Sequence, residues 1–233
     1  YNETLQEKMI RKAITNHFEM EKDLMTRPSA RIKPLSLFFI DNIESYRGKE
    51  GEKGTLALFV EAEIKQHVTR LLKTEKHEAY REYLEKTLKV ISQSHGGYFS
   101  QDNSEKDDKI EKEIEEILHD KESLLSLDNP RRFIFSKWTL REGWDNPNVF
   151  QICKLRSSGG KTSKLQEVGR GLRLPVNEFM QRVKNENFQL HYYVDFTEKD
   201  FVKELVENIN SKSLVVFDET KLTNELIAQI LDK

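Results

Sequence analysis

The sequence predicts an α/β fold in which helices cover a parallel β-sheet. Short apolar runs, bounded by Pro, Gly, Asp or Asn, are typical of strands that are buried on both faces. These runs alternate with longer segments whose apolar residues recur at helical spacing. Because strands that alternate with helices are joined by right-handed crossovers, we expect a doubly wound parallel sheet.

Each segment is assigned from its own pattern. We expect helices at 2–25, across 55–90, at 104–127 (a charged helix with a solvated face), from about 162 to 172, at 197–208 and at 219–233. We expect strands at 34–40, 132–136, 149–155 and 190–196, with weaker candidates at 90–92 and 214–217. Residues 95–98 are interpreted as a turn or loop because they contain two glycines.

The domain organisation follows from length and from the first pattern. A chain of 233 residues suits one large domain, here 1–233, with residues 48–90 as a helical insertion after the first strand. The first residue, Tyr1, opens directly into a helical pattern, so we expect a piece of a longer polypeptide.

Composition excludes several classes of protein. The net charge is −2, so any nucleic-acid contact has to come from a local basic face. The one cysteine, Cys153, cannot form an intrachain disulfide, which favours a reducing cytosol. Its apolar surroundings indicate a small buried hydrophobe rather than a nucleophile. We expect no membrane span and no signal peptide, because no run of 18 apolar residues occurs.

Three patterns that mimic functional sites are set aside. The GGKT string at 159–162 lacks the first glycine of a phosphate-binding loop, since position 155 is Leu155. The ExK at 63–65, with Asp41 upstream, echoes metal-dependent nucleases but lies inside a helical pattern, so we interpret it as a charged helix face. The six histidines show no paired ligand spacing, and we expect no metal site.

Two strings carry the functional prediction. QEVGRGLR at 166–173 places Arg170 and Arg173 one helical turn apart behind Gly169. Guanidinium groups are always charged and bind phosphate oxygens in a bidentate manner, as an arginine finger requires. Taken alone, this string could also be a solvated basic helix start. The second string is LREGWDNPNV at 140–149.

Together the strings resemble a known family. LREGWDNPNV resembles motif V of superfamily 2 helicases and translocases, and QEVGRGLRLP at 166–175 resembles motif VI. The Res subunit of type III restriction endonucleases is the best match, with further similarity in LSLFFIDNIESYR (35–47), HGGYFS (95–100) and LLSLDNPRRFIFS (124–136). The resemblance spans residues 35–205 and implies a RecA-like second motor domain.

The resemblance implies ATP contacts from Gly143, Asp145, Gln166, Gly169, Arg170 and Arg173. Asp145 would accept hydrogen bonds from a ribose hydroxyl. Arg170 and Arg173 would be the catalytic pair that reaches the γ-phosphate across a cleft, with Arg173 preferred as the finger. Simpler roles stay open: Gly143 as a turn, Asp145 as a turn cap, and Arg173 as the partner of a carboxylate.

DNA contacts are implied for Ser136, Lys137 and Arg141, which follow a strand end and could bind backbone phosphates. Lys137 departs from the family, in which histidine is usual here, and this weakens its assignment. Trp144 is interpreted as a packing residue rather than a base-stacking one.

The resemblance also implies a whole enzyme in the bacterial cytoplasm. It uses ATP and Mg²⁺, held mainly by a first RecA-like motor domain, acts on double-stranded DNA beside a methyltransferase (Mod) subunit, and cuts with a separate nuclease domain. The sequence shows no Walker A string, so this chain would carry half of an ATP site and be inactive alone. The alternatives are another superfamily 2 motor, such as an excision-repair helicase, and a non-catalytic module that binds DNA or a partner.

Overall fold

The computed structural model describes residues 4–49, 52–99, 108–137, 144, 146–155, 169, 171, 173–184, 186–195 and 199–212. The chain divides into two compact units, Tyr1–Asp195 and Phe196–Lys233. The second unit contributes one described helix, α7 (Lys199–Lys212), close to the predicted helix at 197–208. The predicted elements at 214–217 and 219–233 lie outside the described residues.

Five parallel strands form the centre of the first unit. They are β1 (Leu35–Phe39), β2 (His95–Tyr98), β3 (Phe133–Ser136), β4 (Val149–Lys154) and β5 (His191–Tyr193). The strand order is β2-β3-β1-β4-β5, and every pairing is parallel. The predicted α/β class with a helix-flanked parallel sheet is therefore confirmed.

Six α-helices have bounds within the described residues of this unit: α1 (Leu5–Met25), α2 (Ile43–Arg47), α3 (Thr55–Leu72), α4 (Glu78–Lys89), α5 (Asp108–Leu118) and α6 (Lys121–Leu125). Helix α1 begins at a capping box, in which the Thr4 side chain accepts from the backbone of Glu7 and the Glu7 side chain accepts from Thr4 N–H. This reciprocal cap fixes the start of the helix.

Each face of the sheet buries its own apolar cluster. One face carries Phe38, Phe133, Phe135 and Cys153, and it packs against α1, α3 and α4. The other face carries Leu37, Ile134 and Ile152, and it packs against α5 and α6. Residues 48–90 thus include helices that belong to the layer covering the first face.

Three predictions between 55 and 98 are wrong in whole or in part. The helical segment is two helices, because residues 73–77 separate α3 from α4, and residues 90–92 form no strand, since Ile91–Gln93 is a 3-10 helix. The strand lies at His95–Tyr98, where a loop was expected. A side chain at Gly96 would collide with the Arg131 guanidinium, so the glycine allows close packing beside β3.

None of the helices in the described part of the chain has the length and apolar composition that a membrane crossing requires.

Candidate functional site

Four of the predicted site residues are described: Ser136, Lys137, Gly169 and Arg173. The other five, Arg141, Gly143, Asp145, Gln166 and Arg170, lie outside the described residues, as does the GGKT string at 159–162. The site geometry is therefore built from these four residues and from the segments that flank the two strings.

The two predicted DNA-contact residues lie at the carboxyl edge of the sheet. Ser136 is the last residue of β3, and Lys137 follows it. Ser136 is buried, at 3% exposure, and its carbonyl oxygen accepts from Ile40 N at 2.9 Å. Lys137 is half-buried. Of the two side chains, Lys137 has more surface to offer a ligand.

A cavity of about 330 Å³ opens at the same carboxyl edge. It lies between the residues that follow β1 (Ile40, Asp41 and Asn42), Leu155 after β4, and the starts of α1 and α3. Strands β1 and β4 are neighbours, but the chain leads from β1 to β2 on one side and from β4 to β5 on the other. Such switch points leave a crevice where ligands of parallel α/β sheets bind.

Arg173 lies at the opposite, amino edge. Val176, three residues later, is bonded to Asn148, which directly precedes β4. Gly171 lies beside Leu190, just ahead of β5, because a Cβ on Gly171 would come within 2.4 Å of a Leu190 methyl carbon. Arg173 and Gly169 are both exposed. A Cβ on Gly169 would meet no atom within 4 Å.

The described part of the upstream string is packed into the protein. Trp144 is 6% exposed, and its indole Nε1 donates to Ile117 O at 2.7 Å. It belongs to the apolar cluster with Leu37 and Ile152. The interpretation of Trp144 as a packing residue is confirmed.

The nuclease-like ExK is confirmed as helical, but its surroundings differ from the prediction. Glu63 lies on α3 and is 6% exposed, so it is not on a solvated face. Arg11 of α1 donates to both of its carboxylate oxygens, at 3.0 Å and 2.8 Å. Within the described ranges, no group of three His, Cys, Asp or Glu side chains could hold a metal ion.

A buried Ser-His-Glu series was not singled out in the sequence. His17 Nδ1 lies 2.7 Å from Ser36 Oγ, and His17 Nε2 lies 3.4 Å from Glu21 Oε2. The order resembles a hydrolase triad, but all three residues are completely buried. No substrate reaches the hydroxyl, so the series is structural. His17 and Glu21 are one helical turn apart, a spacing that occurs in any helix. Ser36 lies 19 residues after His17, so the sequence pattern gives no signal for this series.

The protonation states of Glu21 and His17 at pH 7 follow from their buried surroundings. Burial opposes ionisation of Glu21, but the nearby Arg132 charge and hydrogen bonds from His17 and Arg132 outweigh it and lower the pKa of Glu21 to about 2. Burial lowers the pKa of His17 below its usual 6.5. Glu21 is therefore charged and His17 neutral at pH 7.

Comparison with known proteins gives three close relatives. The chain is 70% identical over 197 residues to the Res subunit of the type III restriction-modification enzyme EcoPI of Escherichia phage P1, covering 84% of this chain and 20% of that protein. The EcoP15I Res subunit of Escherichia coli is 68% identical over the same shares. The StyLTI Res subunit of Salmonella typhimurium is 43% identical over 255 residues, 99% of this chain and 26% of that protein.

The chain thus spans about a fifth to a quarter of the length of these relatives. No protein-family model matches it. A solved structure, domain 2 of the DEAD-box helicase Mss116p bound to an RNA duplex, aligns with 97% of this chain and 65% of that chain, at 11% identity and a TM-score of 0.42. A score this low assigns neither fold nor function.

Identities of 43 to 70% over 84 to 99% of its residues place the chain in the family of type III restriction-modification Res subunits.

Proposed function

We propose that the chain is the second, RecA-like motor domain of an ATP-dependent type III restriction endonuclease. It would supply the arginines that assist ATP hydrolysis, and it would couple hydrolysis to movement on double-stranded DNA. The observation that carries the proposal is the separation of the two predicted contact groups at opposite edges of one sheet. With strands of about five residues, the edges are about 15 Å apart.

The amino edge is assigned to the nucleotide. Arg173 is exposed there, and the space beside Gly169 is open, so a triphosphate held by a facing domain can approach. Arg173, with Arg170, would stabilise the charge that develops on the transferred phosphoryl group. Gly143, Asp145 and Gln166 would contact the same nucleotide. We assign the Mg²⁺ that accompanies ATP to the first motor domain.

The carboxyl edge is assigned to DNA. Lys137 would bind a backbone phosphate, with Arg141 beside it in the sequence and Ser136 at the strand end. ATP hydrolysis at the amino edge would shift this domain relative to the first motor domain. That shift would move the DNA contact at the carboxyl edge.

The whole enzyme would include a methyltransferase (Mod) subunit that recognises the DNA site and a nuclease domain that cuts. The chain alone would be inactive as an ATPase. That expectation is checked by measuring phosphate release from the purified chain with DNA and Mg²⁺ present, where hydrolysis above the blank would contradict it.

The deciding experiment uses the complete enzyme carrying Arg173→Ala. We expect loss of DNA-stimulated ATPase, by on the order of 10³-fold or more, with DNA affinity largely kept. Lys184→Ala is the matched control, because it removes another exposed cation a short way along the same segment. Unchanged ATPase in Arg173→Ala would contradict the arginine-finger assignment and favour a non-catalytic binding module.

A further inference from the structure

One buried side chain connects the two strings. Asn148 is 1% exposed and lies three residues after Asp145. Its Nδ2 donates to Lys33 O and to Val176 O, each at 3.0 Å, and its Oδ1 accepts from Val176 N at 2.8 Å. Both N–H groups of the Asn148 side-chain amide therefore donate to main-chain carbonyl groups, and the amide oxygen accepts from a main-chain N–H.

The backbone of Asn148 is fixed as well. Its N–H donates to Asn146 Oδ1 at 3.0 Å, and its carbonyl oxygen accepts from Leu35 N at 2.8 Å. Asn148 therefore joins the starts of β1 and β4 to the chain that leaves the arginine string.

The carbonyl groups of the three residues that follow Arg173 all accept hydrogen bonds. Leu174 O accepts from the Arg182 guanidinium, and Pro175 O accepts from Val183 N at 2.9 Å. Val176 forms an antiparallel bridge with Arg182. Val176 is also bonded through both its N–H and its C=O to Asn148, so the exit of the arginine string is tied directly to the residue that precedes β4.

We propose that Asn148 is a positioning residue for ATP hydrolysis, which holds Arg173 in register with the start of β4. The inference rests on the proposed function, since it acts through Arg173. A finger has to meet its phosphate with the correct geometry, and a displacement of about 1 Å can lower a rate on the order of 100-fold. Asparagine suits this place because it offers an acceptor to Val176 N–H and donors to two carbonyls at once.

A purely structural role would also make Asn148 sensitive to substitution, so the test needs a matched control. Tyr80→Phe is that control. Tyr80 is buried on α4, and its hydroxyl donates to Glu21 Oε1 at 2.9 Å. The substitution removes a buried hydrogen bond that involves neither Asn148 nor its partners.

The experiment measures steady-state ATPase, DNA binding and thermal unfolding in the complete enzyme. We expect Asn148→Ala to lower kcat on the order of 100-fold with KM for ATP and DNA affinity little changed. Tyr80→Phe should also lower the unfolding temperature, but with kcat kept. In the Arg173→Ala background, Asn148→Ala should cause little further loss, because both act through one group. If Asn148→Ala does not accumulate as folded protein, Asn148→Ser is measured in the same way.

The outcomes separate the two proposals. If Arg173→Ala lowers kcat but Asn148→Ala behaves like Tyr80→Phe, the positioning role is wrong and the proposed function stands. A full additional loss in the Arg173→Ala background would also overturn the positioning role. If Arg173→Ala leaves kcat unchanged, both the proposed function and this inference are overturned.

Discussion

Glu21 on α1 and Arg132 at the start of β3 form an ion pair, with 2.6 Å between Oε2 and Nε and both side chains completely buried. The Tyr80 hydroxyl donates to the other carboxylate oxygen at 2.9 Å. The centroid of the Tyr83 ring lies 4.2 Å from the guanidinium carbon of Arg132. One charge pair therefore ties α1 and α4 to the central sheet.

Replacing Arg132 by Met should destabilise the chain strongly. The substitution leaves the Glu21 carboxylate buried without its counter-charge, and the loss of one partner of a buried pair costs about 3–5 kcal/mol. Urea denaturation, followed by far-UV circular dichroism, measures the free energy of unfolding.

The matched control is Glu85→Ala, which removes the exposed i, i+4 pair between Arg81 and Glu85 on α4 and leaves the hydrogen bond from Arg81 to Leu72 O in place. Exposed pairs of this kind contribute about 0.3–0.5 kcal/mol. Equal destabilisation by the two substitutions would contradict the assigned role of the buried pair.

Stability should fall in acid, and Glu21 and His17 should both contribute. Glu21 has a folded-state pKa of about 2, below its usual 4.5, so its contribution is full above 4.5 and is lost as pH falls towards 2. The pKa of His17 is lowered from 6.5, so the unfolded chain takes up a proton below that pH that the folded chain does not. We therefore expect the free energy of unfolding to decrease from about pH 6.5 downwards.

Glu21→Gln isolates the carboxylate part of this pH dependence. Below pH 4.5 the variant should lose stability less steeply with falling pH than the unsubstituted chain, even though it starts from a lower value. Urea denaturation at several pH values between 7 and 3 gives both slopes. Parallel curves for the two proteins below pH 4.5 would count against the depressed pKa of Glu21.

Buried parallel strands could be predicted from the sequence because they leave an apolar run, as at Leu35–Phe39 and Val149–Lys154. The edge strand His95–Tyr98 could not be predicted in this way, because it contains no apolar run. Its two glycines are present because neighbouring groups leave no room for side chains: a Cβ on Gly97 would lie 2.5 Å from the Phe99 ring. That constraint comes from tertiary packing, and single-sequence patterns interpret such glycines as a turn.

Ion pairs between residues that are far apart in the sequence could not be predicted from it either. The charged helix predicted at 104–127 was expected to present a solvated face, but Glu113 on α5 accepts from Arg47 at 2.8 Å and from Gly97 N at 2.8 Å. Glu116 pairs with Arg131 at 2.9 Å. Helical spacing shows which face a glutamate occupies and gives no information about an arginine from a distant segment. For the candidate site, the two strings were recognised as motifs, whereas the hydrogen bonds of Asn148 that join them appear only in three dimensions.

Cys153 should be unreactive in the folded chain. It is completely buried on β4, and burial raises the pKa of its thiol well above the usual value, so the reactive thiolate is scarce. It is the one cysteine of the chain, which makes thiol titration unambiguous. We expect an aromatic disulfide reagent to react with one thiol in urea and with almost none without it. Rapid labelling of the native chain would contradict the burial of Cys153.

The two glycines of the arginine string should respond differently to alanine. A Cβ on Gly171 would lie 2.4 Å from a Leu190 methyl carbon, so Gly171→Ala has to displace Leu190 and should cost about 1–3 kcal/mol of unfolding free energy. Gly169 is helical and exposed with nothing within 4 Å of its Cβ position. Gly169→Ala should therefore keep or slightly raise stability, since alanine favours helix by up to about 1 kcal/mol.

Activity in the complete enzyme then tests whether another surface faces Gly169. If the proposed ATP cleft closes there, the added methyl group of Gly169→Ala meets that surface, and DNA-stimulated ATPase should fall although the domain is as stable as before. Wild-type ATPase in Gly169→Ala would contradict the assignment of Gly169 to the ATP site. Because no neighbouring group in the described part of the chain lies within 4 Å of that methyl position, a fall in ATPase without a loss of stability would indicate a contact with a surface outside this chain.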